Sequence, residues 1–395
     1  MSRKTHDLVW WLRVAVLLSG WSLMLLVRPV AAEVDPLNLP AMKSAKATRA
    51  IMLAANHAGK RIVVAGERGI ILYSDDDGRS WSQADVPVSV TLTALHFLNE
   101  HSGWAVGHDG VVLHSGDGGR SWSKQVDGYH LNEIVRADAE EQVRQARSSI
   151  EAAGGETEES RQVLEQAEFI LDDVTAGAQF GPSRPLLGVW FDNANDGYVV
   201  GANGQIFHTR DGGGTWMSAA RRLNNPEALH YNGIVAGEGE DKFLAGEGGK
   251  VYRSQADGTW QTIDTGYSGA LYGVLPLKEG AGSEILLAYG FGGNILRSMD
   301  GGETWTRIET KDKVATLVSA QRMDSGKVLL LAQDGTLLES DDAGLTFTAR
   351  RSESGMRVAA MVRLAEGHAL LMTGIGGVHR VDLDAGETES RDITE

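Results

Sequence analysis

The sequence predicts an all-β protein: a seven-bladed β-propeller of four-stranded blades, with an α-helical hairpin inserted between blades two and three. Three features predict it. An octapeptide Ser/Thr-x-Asp-x-Gly-x-Ser/Thr-Trp recurs with a period of about 42 residues. Each copy follows a glycine-rich turn and a short apolar strand, and one double-length interval switches to helical periodicity. A fixed period of this length is the mark of a repeat architecture.

Four copies of the octapeptide are complete: Ser74 to Trp81, Ser115 to Trp122, Thr209 to Trp216 and Ser298 to Trp305. Their defining residues are Asp76, Gly78 and Trp81; Asp117, Gly119 and Trp122; Asp211, Gly213 and Trp216; and Asp300, Gly302 and Trp305. A fifth copy, with Asp342, Gly344 and Phe347, changes only the last aromatic. The sixth, Ser254 to Trp260, is one residue short, and the seventh keeps only Asp384 and Gly386. From Asp76 to Asp117 is 41 residues, from Asp257 to Asp300 is 43, and the next two intervals are 42 each. The shortened copy gives 46, and Asp117 to Asp211 is 94, two periods holding one recognisable repeat and therefore an insertion.

Within a repeat the pattern is strand after strand. Repeat two shows Leu92 to Phe97, Gly103 to Gly107, Val111 to His114 and a short strand from Trp122. Period-two alternation with Gly and Asp punctuation is the hairpin signature, and four short strands per repeat make a propeller blade. In the octapeptide, Asp and Ser/Thr side chains can bond turn amides, Gly supplies a positive φ, and Trp packs beside its hairpin. The motif matches the Asp-box, or bacterial neuraminidase repeat, of sialidases, sortilin-like receptors and polysaccharide hydrolases. That resemblance implies a fold staple between third and fourth strands, remote from any active centre.

The interval from Leu131 to Thr175 reads as two amphipathic helices. Val135, Ala139, Val143, Ala146 and Ile150 share one face, and Val163, Ala167, Ile170 and Val174 share the next. Ala153-Gly154-Gly155-Glu156 breaks them, and Thr157 is placed to cap the second, with Glu158 and Glu159 in its first turn. Residues 131–174 hold twelve acids and four arginines, a net charge of −8. The whole insertion, 129–182, leaves the fourth strand of blade two and returns at the first strand of blade three. It should therefore lie on the face of the second-to-third hairpins, opposite the octapeptides, and overhang a binding surface at the channel mouth.

The N-terminus has the pattern of a secretory signal over residues 1–32. Arg3, Lys4 and Arg13 precede an apolar run from Val14 to Val27, and Val30-Ala31-Ala32 offers a small-residue cleavage site. Residues 33–395 are then expected to be an exported propeller. The chain has no cysteine, which excludes disulfides and thiolate metal sites and suits a periplasm. Its formal charge of −16, or −19 without residues 1–32, disfavours nucleic acid and anionic lipid. No cofactor or metal site is expected. Asp75-Asp76-Asp77-Gly78 lacks the alternating ligands of a calcium loop, and Gly246-Glu247-Gly248-Gly249 resembles a phosphate loop only in glycine content.

The candidate partner-binding residues come from the predicted hairpins and connections of one face: Arg68, His108, Asp109, Asn203, Arg221, Arg222, Tyr267, Phe291, Arg350 and Arg351. Basic and aromatic side chains on an acidic protein form a docking surface for a polypeptide; arginines that merely pair with acids at blade ends give the same pattern.

Apolar first strands ending in Phe, second strands Gly-Trp-Ala-Val-Gly and Gly-Tyr-Val-Val-Gly, and the octapeptide together resemble the photosystem II stability and assembly factor-like family over about residues 46–390, the helical insertion excepted. The resemblance implies a lumenal or periplasmic seven-bladed propeller that holds a membrane-protein subunit during assembly. Nothing in the sequence marks a photosynthetic host, so the expected function is a noncatalytic scaffold for an envelope membrane complex. The alternative is a carbohydrate-active hydrolase. It would need two converging carboxylates, for which Glu67 and Asp109 are candidates. The Phe/Tyr-Arg-Ile-Pro segment of sialidases is absent, its nearest counterpart being Lys60-Arg61-Ile62-Val63.

Overall fold

The computed structural model describes residues 35–237, 239–277, 284–350, 355, 357–365, 367, 369–383 and 390–392. Pro36–Glu395 forms one unit. The proposed signal segment 1–32, Arg351, Asp384 and Gly386 lie outside the described residues.

The unit is a seven-bladed β-propeller. Each of its seven sheets has four antiparallel strands, consecutive in sequence and hydrogen-bonded in chain order. Blade 1 runs through Met52–Ala58, Arg61–Gly66, Ile71–Ser74 and Ser82–Gln83, and blade 7 through Val358–Arg363, Ala369–Gly374, Gly377–Asp382 and Ser390–Asp392. First strands neighbour one another around the ring, that of blade 7 lying against that of blade 1. They therefore line the central channel.

The second strands lie in the seams between blades. Arg61–Gly66, Gly103–Gly107, Gly197–Gly201 and Val328–Ala332 are buried at every residue. A strand covered on both faces has no polar-out positions, which is why Gly-Trp-Ala-Val-Gly reads as a continuous apolar run. Trp104 stacks on Phe191 of the next blade with ring centroids 3.6 Å apart, and Trp216 meets Phe191 edge-on at 6.2 Å. Every blade is joined to its neighbour by a cluster of this kind.

Two routes to ring closure are compatible with the repeat spacing, through residues after Gly386 or through residues 33–48. The outermost strand of blade 7 is Ser390–Asp392, paired antiparallel with Gly377–Asp382. The N-terminal segment instead forms two 3-10 turns, Pro36–Asn38 and Ala47–Arg49, beside blade 1. Among the described residues no strand is shared across the junction. Closure rests on side-chain packing of Met52, Ile62 and Val64 against Val362, Leu371 and Val378.

The insertion forms two helices, α1 (Gly128–Ala152) and α2 (Glu158–Ala178). Asp127 caps α1, accepting from the His130 amide at 3.4 Å and from Lys124 Nζ at 2.9 Å. Thr157 caps α2 through a reciprocal pair: its hydroxyl accepts from the Ser160 amide, and the Ser160 hydroxyl accepts from the Thr157 amide. The base of α1 belongs to the ring. Leu131 is 1% exposed and packs with Val126, Leu186 and Val199, and Ile134 and Val135 add to this cluster. Gly128 is required there, because a Cβ would meet Asp109 O at 2.7 Å and Pro182 Cβ at 2.6 Å. Among the described residues no helix is long and apolar enough to cross a membrane.

Candidate functional site: the turn face and its helical hairpin

The two faces of the ring are built from two different turns. On one face, second and third strands are joined by tight turns such as Glu67–Gly69, His108–Gly110 and Ala202–Gly204. Each turn places two residues in the left-handed region; the first of them is Arg68 (φ 53°), Asp109 (φ 55°) or Asn203 (φ 56°), and the second is glycine. The amide at the start of each turn donates to the carbonyl just before the first strand, as in Glu67 N to Ile51 O at 2.9 Å and His108 N to Thr91 O at 2.8 Å. Beside every turn the first strand carries a bulge, at Leu53, Thr93, Leu187, Asn232, Tyr272, Val318 and Ala359. Bulges re-aim side chains at barrel and sheet rims. They make this face a regular ring of seven turns around the channel.

The opposite face carries the octapeptides. In blade 5, Asp300 Oδ1 accepts from Ser298 Oγ at 2.7 Å and the Thr304 amide at 2.9 Å, while Oδ2 accepts from Thr304 Oγ1 at 2.6 Å. The Gly302 amide donates to Ser298 Oγ at 2.8 Å, and Trp305 Nε1 donates to Gly302 O at 2.9 Å. Asp76, Asp117, Asp211 and Asp342 repeat the aspartate bonds. Gly78, Gly119, Gly213 and Gly344 repeat the glycine bond. Trp81 and Trp122 repeat the indole bond, whereas Trp216 Nε1 has no partner and Phe347 packs without one. The Ser80, Thr304 and Thr346 hydroxyls hold Asp76, Asp300 and Asp342 at about 2, below the usual carboxylate range. A carboxylate that accepts three local bonds is spent on its own turn. In the shortened copy, Asp257 bonds only Thr259.

The sequence-derived docking residues do not converge on one patch. Arg68, His108 and Asn203 are exposed on separate turns. Tyr267 and Phe291 do come together: the Tyr267 hydroxyl donates to Phe291 O at 3.0 Å, and Phe291 is 58% exposed. Arg221 is taken up by the hairpin, reaching Asp138 at 3.3 Å and Gln145 Oε1 at 3.1 Å. Arg222 turns along the seam toward Gly258 O at 3.5 Å.

Arg350 requires a correction. It lies within the strand Thr348–Arg350, not in a connection, and pairs with Glu339 at 2.9 Å and Leu383 O at 2.7 Å. Its side chain lines a cavity of 570 Å³ on the octapeptide face, beside His57, Asp77 and Lys327. Within it Lys327 also pairs with Glu339 at 3.0 Å and Arg363 with Asp324.

The hairpin sits on the turn face. Its base touches His108–Gly110, and α1 continues to the outer strand and following turn of blade 3, where Arg221 holds it. It thus lies on the face expected for it and runs along the outer strand of blade 3. The outward course follows from Leu131 filling the blade 2–3 seam.

Glu67 has a structural assignment. Its Oε1 accepts from the Ile51 amide at 2.9 Å, and Glu247 does the same for the His230 amide at 2.9 Å in blade 4. Two equivalent acids doing the same backbone work argue against a catalytic carboxylate at this position. Among the described residues no group of three His, Asp or Glu is arranged to hold a metal ion.

A closed ring of seven four-stranded blades with tight turns on one face defines the class: a β-propeller. The family model "Photosynthesis system II assembly factor YCF48" matches residues 74–157 and 178–290, about half of the chain. The chain belongs to this photosystem II assembly factor-like family. The Photosystem II assembly lipoprotein Ycf48 of Synechococcus sp. (strain CC9902) is 28% identical over 164 residues, covering 40% of this chain and 47% of that protein. The Photosystem II assembly protein Ycf48 of Synechococcus sp. (strain JA-2-3B'a(2-13)) is 34% identical over 89 residues, covering 21% and 26%. The chain thus spans about half or less of the length of these curated relatives. A solved structure of YCF48 bound to D1 peptide superposes with a TM-score of 0.56 at 16% identity, over 86% of this chain and 97% of that one. The WD40 propeller domain of Doa1 gives 0.55 at 7% identity over 87% and 95%. At such identities the structural likeness establishes the fold alone.

Proposed function

We propose that this protein is a noncatalytic propeller scaffold that binds a polypeptide subunit of a membrane complex in the cell envelope during its assembly. Membership of a family whose relatives are named as assembly factors carries the reading, and one propeller of the same fold is described with a peptide bound. Export to the periplasm follows from the signal pattern of residues 1–32. The client need not be a photosystem subunit. The turn face is the proposed contact surface, because its side chains at Arg68, His108, Asn203 and Phe291 are exposed, whereas the octapeptide carboxylates are committed to their own turns.

The test is a crosslinking pull-down from envelope extracts with the intact chain and with Arg68→Glu/Phe291→Ser. Recovery of a membrane-complex subunit by the first and its loss from the second supports the scaffold on this face. If purified protein instead cleaves glycans, and Glu67→Gln abolishes that activity without unfolding the ring, the carbohydrate-active reading replaces it.

A further inference from the structure

The first strands line the channel, and the residue after each bulge is Gly, Ala or Ser in every blade. In blades 3, 4 and 5 it is Gly188, Gly233 and Gly273. None of the three has a positive φ, so glycine there answers a need for space, not for left-handed backbone. At Gly273 the need is visible. A Cβ would lie 2.2 Å from the hydroxyl oxygen of Tyr289, the second-strand residue paired with it. In the other six blades the residue paired at this position is Ala, Val, Leu or Thr. Blade 5 alone therefore sends a phenol across its first strand.

Tyr289 is 8% exposed, and its hydroxyl has no hydrogen-bond partner among the described residues. Burial holds the phenol above its ordinary value, so it stays protonated and able to donate. It borders a cavity of 240 Å³ in the channel wall of blades 4–6, with Gly233, Val235, Gly273, Leu275 and Ala320 among the other lining residues. A buried polar group without a partner is destabilising and calls for one.

The lining selects the occupant. None of the described lining residues is charged, which excludes an ionic group. The volume admits one aromatic or branched aliphatic side chain and no helix, and the single donor asks for one oxygen acceptor beside it. An uncharged residue of an extended polypeptide combines the two, a backbone carbonyl next to an apolar side chain. Tyr272, 37% exposed, lines the same cavity, and Phe291, 58% exposed, stands in the turn of the same blade. An apolar path thus leads from the turn face into the channel wall.

We propose that this cavity is a recognition pocket for one uncharged apolar side chain of the client, entered from the turn face, with the Tyr289 hydroxyl donating to the adjoining backbone carbonyl. This deepens the scaffold reading and rests on it.

Saturation-transfer NMR of the full chain with the N-acetyl methylamides of phenylalanine and leucine tests the pocket, with those of lysine and glutamate as comparators. The apolar amides should bind saturably, and the charged ones should not. Tyr289→Phe, which removes only the hydroxyl, should weaken binding about five- to tenfold. Ala320→Leu, which fills the cavity, should abolish it, both variants keeping the circular dichroism spectrum; should Ala320→Leu unfold the ring, Tyr289→Phe alone decides. Toluene, which has no carbonyl, should bind the unsubstituted chain and Tyr289→Phe alike. Absence of amide binding, amide binding indifferent to Tyr289→Phe, or an equal loss of toluene binding overturns the pocket. If a subunit recovered by the intact chain is recovered equally by folded Ala320→Leu and is lost from Arg68→Glu/Phe291→Ser, the pocket falls and the scaffold stands. If the amides bind as expected and the intact chain recovers no subunit, the scaffold reading falls and takes the client's side chain with it.

Discussion

Gly103–Gly107 in the ring and Val163–Val174 in α2 both carry a regular apolar pattern, yet the first is buried at every residue and the second buries only Ala167. A blade strand is enclosed by its own sheet and by both neighbouring blades. A helix of an inserted hairpin has one permanent neighbour. An apolar stripe wider than that neighbour covers is therefore left over. The ring uses its apolar residues for its own stability, and the hairpin leaves some of them exposed.

Trp104→Ala should break the ring side of the comparison most severely. The side chain is 1% exposed and stacked on the next blade, so chemical denaturation should show a loss of about 3–5 kcal/mol. Replacing all of 129–182 with a Gly-Ser linker comes next, because it removes Leu131 from the seam, a change expected to cost about 2–5 kcal/mol. Replacing only 142–173 should leave the melting temperature within about 2 °C, since that part of the hairpin touches the ring mainly through Arg221.

Acid distinguishes the regions as well. His96 bonds Phe191 O at 3.1 Å in the blade 2–3 seam, and burial pushes its imidazole down from 6.5 to about 4. Below pH 6.5 the unfolded chain takes the proton more readily than the fold does. Stability is thus intact above about 6.5 and falls as pH drops toward 4, by on the order of 3 kcal/mol. His96→Asn should reduce the slope in that window, the remainder coming from His57, His114 and His208, whose imidazoles burial also pushes down. Asp76 and Asp342, held at about 2, act in a lower window: their contribution is present above the ordinary value of 3.8 and is lost as pH falls through 2. Acid titrations followed by tryptophan fluorescence should resolve both steps.

Asp117→Asn should lower the melting temperature by about 2–5 °C, and Asp257→Asn by no more than about 1 °C, because the shortened turn of blade 4 already lacks most of the network. The smallest effect is expected for Phe169→Ser, within about 0.5 kcal/mol of the unsubstituted chain. A loss above about 2 kcal/mol there would mean that the hairpin is part of the core after all.

The octapeptide made the ring legible in sequence, because its bonds are local. Asp, Gly and Ser/Thr within eight residues determine one turn, and regular spacing then determines the blade. Thr157 and the glycine break determined the two helices in the same way, within one turn of chain. The docking residues were less legible. Tyr267 and Phe291 meet across a gap of 24 residues, Arg350 turns to the opposite face to satisfy Glu339, and Arg221 is captured by Asp138, 83 residues earlier. Sequence order carries no sign of such pairings.

The chain by itself therefore determined the seven repeats, the strand count, the site of the insertion and the turn chemistry, all of which depend on neighbours within a few residues. Only the tertiary structure decided that Ser390–Asp392 completes blade 7, that Leu131 makes the hairpin base part of the ring, and that Glu67 serves the Ile51 amide. It also decided which apolar residues of α2 stay uncovered. Each of these depends on which distant surfaces exclude water together, a property of the closed ring that no local stretch of sequence carries.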